Sequence, residues 1–285
     1  MLVRGTASGR TFQSAVAFMF GFAPEIDMSR LSAVEMADNN TLCMKQTGHQ
    51  CACMAVRSGF ISSFSASFGQ QSSAIRDEPS VHRIAERLGM MVEKLPRLTH
   101  IFDVAMTHFC HGLAVGCLGA LFVRDVFDAI GKAGQFAVAD VHYQRLARLK
   151  AQPLLYEIAH RMKRQLQSAV SVPKFILYSG HDSTIEPLAA AIGVSNGMWP
   201  RYASRLVFEL YAPAEEAGSH TNASIRVLHD GEDVTRQLPF CKDIRSDVSL
   251  PLCPLSAFLD FVNDRKFSGG PGETGYDEEC QKLFS

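Results

Sequence analysis

The 285-residue sequence has no surplus of charge of either sign. Its 28 Lys and Arg stand against 29 Asp and Glu, so no global field favours nucleic acid or an anionic membrane surface. It has no apolar run near the roughly 20 residues that cross a bilayer, so no membrane segment is expected in it. Internal repeats and low-complexity tracts are also missing, which excludes solenoid arrays and linker-like chains. What is there is an ordinary soluble globular composition, 47% hydrophobic and 20% charged. The length suits one large domain or a core with an inserted subdomain.

The start, "MLVRGTASGRTFQSAVAFMFGFAPE", carries two arginines, no acid before Glu25 and an apolar stretch over 15–23. That pattern fits a signal or transit peptide. It also fits an Arg-bearing loop followed by an amphipathic helix over 10–22, with Phe12, Ala15, Phe18 and Met19 near one face. Residues 23–79 read as irregular. Helical periodicity then marks 81–95, 98–110, 119–130 and 136–150, and Pro153 reads as the first turn of a further helix. The character changes at Pro173. "KFILYS" is a compact strand, 184–192 a helix ending at Gly193, and 204–212 and 224–230 are strands. Asp230-Gly231 signals a hairpin turn, and "CPLSAFLDFVND" gives a last helix starting at Pro254.

The junction "YSGHDSTIEP" is where chemistry concentrates. In open α/β sheets ligands bind beyond the carboxyl ends of strands, where helix N-termini present unpaired N–H groups suited to phosphate. Ser183 and Glu186 have capping-box spacing, which places His181 at the strand tip and Asp182 beside the cap. An imidazolium there can donate to a phosphoryl oxygen, and a protonated carboxyl can protonate a leaving alkoxide. A plain helix cap with a satisfied loop histidine fits the same dipeptide.

"YSGHDSTIEPLAAAIG" resembles the C-terminal signature of the histidine acid phosphatases, the branch of the histidine phosphatase superfamily with an HD proton-donor motif. "VRGTASGRTFQSAVAFMFGF" is similar to that family's arginine-bearing segment, which makes 10–22 an internal helix rather than a leader. "CPLSAF" and Cys280 also match. "RYASRLVFELY", "IRVLHDGEDVT" and "GYDEEC" resemble a branch that removes the 2-phosphate of xylose in the glycosaminoglycan–protein linkage region. The resemblance implies an α/β, Rossmann-like, phosphoglycerate-mutase-like core over 1–24 plus 170–285, with a mainly helical cap subdomain over 25–169. It implies a phosphomonoesterase that needs no cofactor and acts on a phosphorylated sugar or proteoglycan linkage glycan. Arg4 would clamp phosphate oxygens, His181 would stabilise the transferring group and Asp182 would be the general acid. Arg10 fits a structural role as well.

The family's nucleophile lies in an R-H-G-x-R-x-P motif on its first core strand, and no Arg-His-Gly occurs in these 285 residues. The expectation is therefore an N-terminally incomplete form with its first core strand missing and little or no hydrolysis, since deleting a nucleophile removes the covalent route. The alternatives are a non-catalytic anion-binding pseudophosphatase and a broad-specificity acid phosphatase. Sequons at Asn39 and Asn222, with eight cysteines, tilt towards an oxidising secretory compartment. By resemblance this is the Golgi, with secretion or the lysosome as alternatives. A luminal relative implies disulfides: Cys241 with Cys253, and Cys280 with Cys110 or Cys117. Cys51, Cys53 and His49, or His108, Cys110 and His111, would otherwise supply nitrogen and sulfur ligands for zinc. No metal is expected.

Overall fold

The computed structural model describes residues 1–25, 35–36, 41–42, 53, 73–113, 119–167, 172–212, 223–241, 250–264, 267 and 274–282. In chain order the main elements are β1 (Leu2–Gly5), α1 (Gly9–Phe22), β2 (Glu35–Met36), α2 (Ser73–Arg76), α3 (Pro79–Leu88), α4 (Leu98–Cys110), α5 (Gly119–Ala139) and α6 (Val141–Gln167). Then come β3 (Ile176–Ser179), α7 (Asp182–Ala191), β4 (Leu206–Tyr211), β5 (Ser224–His229), β6 (Glu232–Asp233), β7 (Cys253–Pro254), α8 (Leu255–Val262) and α9 (Thr274–Gln281). No helix among the described residues is long and apolar enough to cross a membrane.

The chain divides into two compact units. The first is Met1–Arg57, Ala147–Val194 and Arg201–Ser285; the second is Ser58–Leu146 and Ser195–Pro200. Residues 147–167 thus go with the sheets, although the sequence reading placed everything up to 169 in the helical subdomain. The reason is burial: Ala151, Leu154, Leu155, Ala159 and Met162 share one apolar cluster with Leu188, Ile192, Ile225, Val227 and Phe258.

In the first unit, β1 lies between β2 and β3, parallel to both. The period of two divides its side chains cleanly. Val3 faces Ala15 and Met19 of α1, with Leu177 packed against the same cluster, while Arg4 and Tyr178, register partners across the β1–β3 ladder, share the other face. The second sheet is antiparallel, β4-β5-β6, with β7 pairing β5. Its tight turn has Asp230 at φ 51° and Gly231 at φ 93°, the positive-φ pair that an Asp-Gly hairpin turn requires.

The second unit packs α3 and α4 against α5. Its buried Asp125 accepts Arg83 Nε at 2.8 Å, and Phe102 meets Phe127 and Trp199 edge-on.

Several expectations are corrected. Arg4 sits on a strand, not in a loop. The segments expected at 119–130 and 136–150 are divided instead at Asp140, whose Oδ1 accepts the N–H of His142 at 2.7 Å and of Tyr143 at 3.0 Å, capping α6. Pro153 lies inside α6. Its lost hydrogen bond is outweighed by the apolar burial of Leu149, Leu154 and Leu155 around it. The helix over 81–95 ends early because Gly89 adopts φ 64°. A further helix, α9, follows the one at Pro254. Cys241 pairs with Cys253 as expected, but Cys280 pairs with Cys53, and Cys110 is free and exposed. That bond also withdraws Cys53 from the zinc ligands considered. Asn39, Asn222, Cys51, Cys117 and His49 lie outside the described residues.

Candidate active site

β1 and β3 end side by side, Gly5 opposite Ser179, and each strand turns almost at once into a helix, α1 or α7. Two helix N-termini therefore open at the carboxyl edge of the parallel sheet, where their N–H groups favour negative charge. Ser179 Oγ donates to the Thr11 carbonyl at 2.7 Å, which ties the end of β3 to the first turn of α1.

His181 is the residue that caps α7, two residues earlier than the Ser183 cap expected from spacing. Its backbone N–H donates to Thr184 Oγ1 at 3.2 Å, and its carbonyl accepts the Thr184 N–H at 2.9 Å. The ring reaches across to the end of β1, with Nε2 at 2.9 Å from Thr6 Oγ1. Thr6 Oγ1 in turn lies 2.8 Å from Thr11 Oγ1. Thr11 Oγ1 sits 2.8 Å from the Ser8 carbonyl and 3.1 Å from the Thr6 carbonyl. Carbonyl oxygens only accept, so the Thr11 proton goes to them and its oxygen accepts the Thr6 proton. Thr6 is then left to accept, which makes His181 Nε2 the donor. In the neutral ring the lone pair is therefore on Nδ1.

The electrostatics of this ring follow from its neighbours. Burial disfavours the imidazolium, and the cations of Arg10 and Lys150 depress its pKa further, against an opposing pull from Asp182. Asp182 is the first residue of α7 and its Oδ1 accepts the Ser183 N–H at 2.6 Å. Lys150, on α6, lines a small cavity with Thr41, Leu154, Thr184 and Pro187. Desolvation pushes its pKa down to about 8 in spite of the Asp182 carboxylate.

Arg4 is engaged elsewhere. Its Nη1 donates to Glu157 Oε1 at 2.7 Å and its Nε to Glu35 Oε2 at 3.2 Å. The same Glu157 oxygen accepts Tyr178 OH at 2.9 Å and Arg161 Nη2 at 2.6 Å. Of the three residues singled out from the sequence, the fold brings His181 and Asp182 to one helix start and gives Arg4 to a carboxylate on α6. Sequence reasoning missed Lys150, Thr6 and Thr11 as neighbours of this centre. The threonines were visible as the Thr of R-x-T and of R-T, but nothing in α6's pattern set Lys150 apart from a solvated lysine.

A donor histidine, a carboxyl group and two cations at the carboxyl edge of a parallel sheet can hold a phosphoryl group and protonate a leaving oxygen. Residues 137–230 match the histidine phosphatase superfamily (branch 2). It is similar along nearly its whole length to 2-phosphoxylose phosphatase 1 of Danio rerio, 32% identical over 97% of this chain and 59% of that protein. The Homo sapiens protein of the same name is 28% identical over 97% of this chain and 57% of its own length. Human prostatic acid phosphatase is 35% identical over 43% of this chain and 29% of its own. The chain thus spans somewhat over half the length of the 2-phosphoxylose phosphatases that it matches.

Proposed function

We propose that this domain recognises the phosphate of a sugar phosphomonoester, and that the protein to which it belongs hydrolyses it. The 2-phosphate of a xylose is the substrate that its relatives' name supports best, while its setting in the glycosaminoglycan–protein linkage region and the Golgi lumen as the place rest on the resemblance of the sequence motifs alone. The observation that carries the reading is the His181 ring, held by Thr6 in the Nε2–H form at the mouth of two helix N-termini, with Arg10 and Lys150 adding positive charge around it.

In the reaction that the family implies, a nucleophilic histidine nitrogen forms a bond to phosphorus while the bond to the sugar oxygen breaks, and Asp182 hands that oxygen its proton. Water then breaks the phosphorus–nitrogen bond, releases phosphate and returns a proton to Asp182. His181 donates to the phosphoryl oxygens either by turning Nε2–H from Thr6 to the phosphate or, once protonated, through Nδ1–H. The phosphate-clamping role proposed for Arg4 requires phosphate to replace Glu157 on its guanidinium. No Arg-His-Gly is present in the 285 residues, so this chain alone is expected to bind phosphate without turning over esters.

The test is purified 285-residue chain, assayed for phosphate binding and for hydrolysis of a 2-phosphoxylose linkage glycan and a generic aryl phosphate. The expected outcome is binding that Asp182→Asn leaves largely intact and His181→Ala weakens at least tenfold, since bonds to charged groups contribute about 1.5–3 kcal/mol, with no release of phosphate. Equal phosphate binding by wild type and His181→Ala would sink the reading, and His181-dependent turnover would sink the claim that catalysis needs a further histidine motif.

A further inference from the structure

One stripe of α6 carries Lys150, Leu154, Glu157 and Arg161, spaced at i, i+4, i+7 and i+11, which places them along a single helix face. Glu157 fixes the level of that face. It receives Arg4 from β1 and Tyr178 from β3, so this part of the helix lies against the middle of the β1–β3 ladder. Lys150 stands two turns towards the amino end, about 10.5 Å along the axis at 1.5 Å per residue. That displacement carries it past the carboxyl ends of the strands to the first turn of α7. There it lines a cavity with Thr184 and Pro187, and Thr184 is the residue whose hydroxyl accepts the His181 N–H.

From this placement we infer that Lys150 is a phosphate-positioning residue of the proposed site, supplying from α6 an ammonium that holds the anionic group bound at His181. The inference rests on the phosphate-binding reading above. A point charge on a flexible stem suits the task, because it can follow the phosphoryl group without imposing a fork geometry. The charged groups around it are Asp182 on α7, His181 at the cap of that helix and, beyond the ring, Arg10 of α1. Burial and the neighbouring cations move the His181 titration further to the acid side of 6.5, whereas Lys150, with a pKa of about 8, titrates just above neutrality. Anion affinity is expected to fall as it loses its proton.

Sulfate is the probe, because its charge stays constant where phosphate's changes. The far-UV spectrum and melting curve of each variant establish folding, and sulfate affinity is measured by calorimetry at about pH 7 and about pH 9.5. Wild type is expected to lose about tenfold in affinity between the two, the size of one charge-assisted contact. Lys150→Met starts about tenfold weaker and loses the alkaline step, whereas Lys150→Arg keeps the neutral affinity and carries it to the higher pH. A merely structural lysine would alter the melting curve and leave both affinities alone. A folded Lys150→Met protein with wild-type affinity, or with the alkaline step intact, overturns the inference. If Lys150→Met does not fold, an alkaline step that persists in Lys150→Arg overturns it equally. Sulfate affinity lost in His181→Ala but unchanged in Lys150→Met removes Lys150 and leaves the phosphate-binding reading standing; absence of sulfate and phosphate binding by wild type removes both.

Discussion

Replacing Glu157 by glutamine tests how the first unit holds α6 against its parallel sheet. One oxygen of Glu157 accepts from Arg4 at 2.7 Å, from Arg161 at 2.6 Å and from Tyr178 at 2.9 Å. The side chains of Glu157, Arg4 and Arg161 are 16%, 22% and 20% exposed, so two guanidinium groups depend on one poorly hydrated carboxylate. Breaking a fully buried pair costs about 3–5 kcal/mol. Partial exposure screens this cluster and Arg4 retains Glu35, so about 2–3 kcal/mol is expected for Glu157→Gln, whose amide oxygen still accepts one bond. Glu157→Ala should cost about 1 kcal/mol more, the value of a further hydrogen bond. At about 2–4 °C per kcal/mol, glutamine lowers the melting temperature by about 4–12 °C. Urea unfolding followed by far-UV circular dichroism is the appropriate assay, because the single tryptophan, Trp199, belongs to the other unit. The Arg4→Met/Glu157→Gln double-mutant cycle should give a coupling of about 1–2 kcal/mol. Tyr178 adds a pH signature. Burial and Glu157 hold its phenol above the usual value of 10.0, so its contribution is complete below about pH 10 and is lost as pH rises from there towards the folded value. A destabilisation under 0.5 kcal/mol together with an additive cycle, about the error expected for independent sites, would refute the claim that this cluster anchors α6.

Folding lowers the His181 pKa from 6.5, so its contribution to stability is present above about pH 6.5 and is lost as pH falls through the lower folded value. Nitrogen NMR should show Nε2–H in the neutral ring and an upward pKa shift on adding sulfate. Thr11→Val, which frees the Thr6 proton for His181, should move the ring proton to Nδ1, and an unchanged tautomer would contradict the donor chain. Peptide mapping without reduction should recover Cys53 linked to Cys280 and Cys241 linked to Cys253, with Cys110 open to alkylation; a Cys110–Cys280 peptide would refute this pairing.

The C-terminal half was readable because its signals are local. An apolar run meets a His-Asp pair and a helix with a capping pattern, and Asp230-Gly231 needs only its own two φ angles to announce a turn. β1 was not readable, since "LVRG" is four residues long and acquires its meaning from 176–179, some 170 residues away in the chain. Pairing at that separation leaves no mark on a short segment's composition. Cys53–Cys280 is distant in the same sense, at a separation of 227, whereas Cys241–Cys253 closes a local loop. Pro153 misled because its effect on an isolated helix is strong, while burial of its neighbours decides the matter in the folded chain. Lys150 failed to stand out because charge on an amphipathic helix normally faces water, and only the level of α6 on the sheet reveals where this one points.

That level has a consequence for Arg4. A guanidinium already bonded to Glu157 gains from phosphate only the difference between two anions, whereas a lysine disfavoured by desolvation gains from the arrival of any anion beside it. On the proposed reading the cluster of Arg4, Glu157, Arg161 and Tyr178 therefore acts chiefly as the clamp that sets α6 in register with β1 and β3, and so places Lys150 at the edge of the sheet. The two roles separate in the variants. Glu157→Gln releases Arg4 and loosens the helix, so it should lower stability and weaken sulfate binding through Lys150, and Lys150→Met should then remove little more. If Arg4 is instead the principal anion ligand, freeing it from Glu157 strengthens sulfate binding even as the fold weakens, and the sign of that one change decides between them.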